Sequence, residues 1–101
     1  MPKLFEYFGL IVLFYSNEHD PIHVHGKFQD KECKAEIEIV NGKIIKISFK
    51  NVKGKKPLTK TKLDDFKIIV KKHSEYIVKS WIDFFVFNKP IQSKTITRRI
   101  K

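Results

Sequence analysis

Cysteine is nearly absent: Cys33 is the only one in 101 residues. A single thiol closes no internal disulfide and cannot supply the paired spacing of a zinc finger or ribbon. Cys33 falls in an alternating apolar run, which reads as a buried, inert thiol rather than a nucleophile. Arginine is scarce too. Arg98 and Arg99 are the only two among 21 Lys and Arg, so bidentate reading of base edges is not what this charge is built for. The apolar run Leu10 to Tyr15 falls far short of the ~20 residues of a membrane helix. Glu6 interrupts the first apolar residues and no small-residue cleavage site follows, which argues against a signal peptide. These absences predict a cytoplasmic protein in a reducing compartment with no membrane partner. There is also no glycine-rich phosphate loop, no serine elbow and no internal repeat.

What is present suits one domain spanning residues 1–101. Hydrophobic residues make up 42% of the chain and nine are Phe, enough for a core without disulfide or metal staples. The net charge of +10 predicts attraction to RNA, other nucleic acid or another polyanion. The competing explanation is drift, because lysine in place of arginine with abundant Ile and Phe is what an AT-rich genome writes.

Residues 1–50 read as mainly β, 51–60 as a basic loop, 61–88 as helical, and 91–101 as a tail or short strand. Leu10 to Tyr15 suits a strand buried on both faces. Pro21 cannot donate to a ladder, so a loop runs through it and a new strand starts after it. There His23 and His25 share one face, Ile22 and Val24 the other. Cys33, Ala35, Ile37 and Ile39 alternate with Lys34, Glu36 and Glu38 up to the hairpin signal Asn41-Gly42. A two-residue loop would set glutamates beside the apolar residues of the return strand. A three-residue loop with a bulge pairs Ile37 with Ile45, Ala35 with Ile47 and Cys33 with Phe49, and is preferred. Thr59 or Thr61 caps a helix with Asp64 and Asp65 in its first turn. Its stripe runs through Leu63, Phe66, Ile69 or Val70, His73, Ile77, Trp81 and Phe84 or Phe85, with a break available at His73-Ser74. The expected fold is therefore α+β: a small antiparallel sheet of three to four strands on one long or broken C-terminal helix, with room for a short final strand. Phe5, Tyr7, Phe8, Phe14 and Tyr15 fit its core better than a stacking surface.

Three of four histidines, His19, His23 and His25, lie within seven residues. His23 and His25 project together, and His19 precedes the Pro21 turn. Three chemistries fit. The imidazoles could hold a divalent metal such as zinc, with Asp20, Glu18 or water as fourth ligand. They could move protons near neutral pH, as cleavage of RNA by 2′-hydroxyl attack requires. Or they could brace the loop. If the chain is a ribonuclease, His19, His23 and His25 are the catalytic candidates, with Lys27 or the loop lysines Lys53, Lys55 and Lys56 holding phosphate. His73 lies on the helical stripe and reads as a core-edge residue, the alternative being that it completes the cluster. Trp81 reads as core.

These residues resemble a known family. Met1-Pro2-Lys3, Phe8-Gly9, Tyr15, the core Glu18-His19-x-Pro21-x-His23-x-His25, and later His73 and Trp81 look like the domain of unknown function 4160 family of small bacterial proteins. The resemblance runs from Met1 to about Phe85. Val24 departs from it, since an aromatic is common there, and Ile91 to Lys101 lies outside it. The resemblance implies a component of a bacterial toxin–antitoxin-like module. This basic chain would be the toxin-like member, with a small acidic or DNA-binding antitoxin-like protein as partner. The reading of another class is a non-catalytic protein-interaction module whose histidines are structural or metal-binding.

Overall fold

Two hairpin turns organise the first half of the chain. In a computed structural model, which describes residues 3–15 and 22–99, Tyr7 pairs with Leu10 and Val40 with Lys43. Each pairing leaves a two-residue loop, Phe8-Gly9 or Asn41-Gly42, and all four loop residues have positive φ. That is the geometry whose twist matches the flanking strands.

The strands are β1 (Lys3–Tyr7), β2 (Leu10–Leu13), β3 (Ile22–Phe28), β4 (Lys31–Val40), β5 (Lys43–Asn51) and β6 (Lys94–Ile96); the helices are α1 (Lys60–Lys72) and α2 (Ser74–Phe85). The sheet order is β5-β4-β3-β2-β1-β6, antiparallel except where β6 joins β1 in parallel. This corrects the expected architecture: the sheet is mixed and six-stranded, and the helical part is two short helices. The undercount has a local cause. Phe8 stands where Asn or Asp would have signalled the β1–β2 turn, so the sequence does not mark β1 off as a separate strand.

The Asn41-Gly42 hairpin departs from the preferred register as well. The turn keeps two residues, and β5 then bulges at Ile45. Past the bulge Glu38 faces Lys46, Ile37 faces Ile47 and Ala35 faces Phe49. The bulge satisfies both demands of the sequence: Asn-Gly keeps its favoured turn, and the apolar residues return to one face. The extra residue, Ile45, is left 57% exposed.

That apolar face carries the helices. Phe5, Val12, Val24, Gly26 and Ala35 share it by register, and a Cβ at Gly26 would lie 2.6 Å from the Phe66 ring of α1. Cys33 is buried there, its thiol donating to the Lys50 carbonyl at 3.3 Å, and burial pushes its pKa up. Thr59 caps α1 by accepting from the Lys62 amide, which places Asp64 and Asp65 beyond the first turn. α1 ends at His73, whose carbonyl accepts from Ile77 at the start of α2. Phe66, Ile69, Val70, Ile77 and Trp81 are buried, and Phe14 packs edge-on against Trp81 at 5.5 Å. Phe8, expected in the core, is 45% exposed at its turn. Among the described residues no helix is long and apolar enough to cross a membrane.

Candidate functional site

The opposite face of the sheet holds the histidines. Alternation along β3 places His23, His25 and Lys27 on it, opposite Glu36, Lys34 and Glu32 of β4. His25 and Glu32 are nonetheless buried, at 6% and 2% exposure. Their burial is supported by hydrogen bonds. His25 Nδ1 lies 3.0 Å from Glu32 Oε2, and the Tyr15 hydroxyl donates to Glu32 at 3.0 Å. An ionised carboxylate only accepts, so against ionised Glu32 it is Nδ1 that donates. The Tyr15 ring meets His25 edge-on at 4.5 Å. Among the described residues no buried side-chain nitrogen or oxygen lacks a partner.

His23 links this buried group to α2. Its ring centroid is 5.3 Å from that of His25 and 5.5 Å from that of Trp81. Glu36 lies across the ladder from His23. Lys50 Nζ, 2.7 Å from its carboxylate, holds Glu36 below the usual carboxylate range, with smaller help from Lys34 and His23. The site is thus a Glu32–His25 pair oriented by Tyr15, beside a second, half-exposed imidazole with its own acidic neighbour. Such a pair can bind a phosphate oxygen or move a proton, provided a substrate reaches it.

A groove lies beside His25 on the same sheet face. Leu13 pairs with His25 across the β2–β3 ladder, and Lys27 is two residues further along β3. Both line a groove of about 480 Å³ with an apolar floor of Ile11 and Leu13 and with Lys3 at its side.

The structure therefore brings together His23, His25 and Lys27 of the residues singled out in the sequence. His19, with Glu18 and Asp20, lies outside the described residues. Among those described, no group of three His, Cys, Asp or Glu is placed to hold a metal ion. Lys53 and Lys55 are exposed on the loop before α1. Lys56 does something different: its carbonyl accepts from the Glu32 amide at 2.9 Å, and its ammonium pairs with Asp30 at 3.4 Å. It ties the loop to the strand end that carries Glu32. His73 does not join the cluster. Its ring packs on Phe5 at 4.7 Å, and burial, then Lys72 and Lys94, lower its pKa. Glu32 was not foreseen. It shares its face with Lys34, Glu36 and Glu38, and nothing in that alternation marks it as the buried one.

A search of curated proteins returned no match, and neither did a search of solved structures. One family model does match, the domain of unknown function DUF4160, over residues 9–82. That span holds the buried Tyr15–Glu32–His25 group, His23 and both helices up to Trp81, and by it the chain belongs to the DUF4160 family.

Proposed function

We propose that this chain engages RNA, as the toxin-like member of a bacterial toxin–antitoxin-like module acting in the cytoplasm with a small antitoxin-like partner. The observation that carries the reading is that the Lys27-lined groove runs on the sheet face of the His25–Glu32 pair and includes Leu13, the ladder partner of His25. A groove with an apolar floor and Lys27 on its wall suits a single strand, with bases inward and a phosphate on the ammonium group. The net charge of +10 supports it by raising the encounter rate with a polyanion. Lysine binds phosphate as a point charge, so affinity without strong sequence preference follows.

Burial of His25 and Glu32 favours a second reading, in which the pair braces the strand ends and the chain is a non-catalytic interaction module. One experiment separates the two. RNA binding and cleavage are measured at low salt, with and without zinc, for the parent protein, His23→Ala and Lys27→Ala. Binding that weakens in Lys27→Ala, with any cleavage lost in a folded His23→Ala, supports RNA engagement at this site. A parent protein that neither binds nor cleaves RNA in either condition leaves the interaction-module reading.

A further inference from the structure

The β1–β2 turn holds a bulky residue in a conformation that such residues rarely adopt. Phe8 has φ 46 and Gly9 φ 89. Asn-Gly makes this turn readily, as it does at Asn41-Gly42, whereas a bulky residue in the left-handed region is strained. The ring recovers part of that cost edge-on against Tyr7 at 4.7 Å, yet stays 45% exposed. Strain held at an exposed position points to a use for the side chain.

Two cations are held at this turn, one over the ring and one on its backbone. The Arg99 guanidinium lies 4.3 Å from the Phe8 ring centroid. Lys62 Nζ donates to the Phe8 carbonyl at 3.1 Å and sits 4.5 Å over the ring of Phe28. Phe28 in turn touches the position a Gly9 Cβ would take, at 3.0 Å. Gly9 also lines the Lys27 groove, so the turn stands at one end of that groove and His25 adjoins it through Leu13 and Lys27.

We propose that the Phe8-Gly9 turn is a stacking site for an unpaired base of a single-stranded nucleic acid, with Arg99 and Lys62 taking the flanking phosphates. The proposal rests on the reading of the chain as an RNA-engaging protein, and adds where the strand is gripped and that it must be single. Chemistry supports each part. A base offers its π-face whatever its identity, an exposed ring held by the backbone loses little freedom on binding, and arginine both stacks and pairs with phosphate. A strand gripped there and laid along the groove passes Lys27 before reaching His25.

The test uses Phe8→Asn, which removes the ring but gives the turn its preferred residue pair, so the fold is retained. Arg99→Ala is the second variant. Binding of a fluorescein-labelled 12-nucleotide RNA, the DNA of the same sequence, and an RNA duplex of equal length is followed by anisotropy at low salt. Thermal melts check each fold. Phe8→Asn is expected to weaken both single strands roughly ten-fold, the scale of losing one base–aromatic stack, while hardly changing the duplex. Arg99→Ala weakens them less. The ratio of RNA to DNA affinity in the parent identifies the natural strand. If the parent binds single strands and both variants match it, the turn is not the site, although RNA engagement stands. If Phe8→Asn weakens the duplex as much as the single strand, stacking is not its role. If the parent binds no strand at all, this proposal and the broader reading fall together.

Discussion

Glu32 sits where a carboxylate is costly, and two donors offset that cost: the Tyr15 hydroxyl and His25 Nδ1. Removing the acceptor takes this hydrogen bond from both donors at once. Glu32→Ala should therefore destabilise the protein by about 3 kcal/mol, the scale of breaking a buried ion pair. Tyr15→Phe loses one hydrogen bond to a charged group, about 2 kcal/mol. Urea denaturation of Glu32→Ala, Tyr15→Phe, His25→Ala and the double variant Glu32→Ala/His25→Ala checks this, and the double variant should lose less than the sum of its two single substitutions, because they share one network. A Glu32→Ala protein as stable as the parent would show that the buried group is not a structural unit. At this scale the sequence was half legible. The spacing of His23 and His25 placed two rings on one face. Glu32, which orients one of them, looked like the other acids of β4, because burial of a strand end depends on what folds over it and not on alternation.

The elements were legible where their ends carry specific chemistry. Asn41-Gly42 marked a turn, Thr59 a cap, and His73-Ser74 the place where the helical stripe breaks. They were illegible where an element is defined by its neighbour. β6 has three residues and is a strand only through β1, and the Ile45 bulge settles a conflict between turn and face that the sequence poses without resolving. Packing between elements yields two predictions. Gly26 lets β3 approach the Phe66 ring, so Gly26→Ala should cost about 2 kcal/mol through overpacking. Pairing it with Phe66→Leu should return part of that loss in a double-variant denaturation cycle. The helix junction has a pH signature. Burial against Phe5, then Lys72 and Lys94, lowers the pKa of His73 below its ordinary 6.5. The unfolded chain then takes up a proton that the folded chain resists, so stability falls as pH drops through 6.5 toward the lowered value. His73→Phe keeps a ring on Phe5 and does not titrate. The melting temperature of the parent relative to His73→Phe should therefore be lower at pH 5.5 than at pH 7.5. An unchanged difference would remove the linkage.

For the whole molecule the decisive question is whether +10 is a surface or a composition. Many of the cations are engaged within the protein: Lys50 and Lys34 with Glu36, Lys31 and Lys56 with Asp30, Lys60 with Asp64, Lys79 with Asp83. Charge spent on such pairs attracts a polyanion weakly. Lys27 lines the groove beside His25, whereas Lys46 is exposed on the β4–β5 arm opposite Glu38. A bound single strand releases counterions in proportion to the phosphates neutralised, so log K falls with log salt by about 0.7 per contact. If the groove is the site, Lys27→Ala should lower RNA affinity and make the salt slope shallower by about 0.7, while Lys46→Ala changes neither. Anisotropy titrations from low to physiological salt measure both quantities for each variant. Equal effects of the two substitutions would mean that the lysines act as a diffuse cloud, the outcome expected of an AT-rich genome. A loss confined to Lys27 means that the fold has gathered, from cations of which several are spent on internal ion pairs, the charge that shares a face with its oriented histidine.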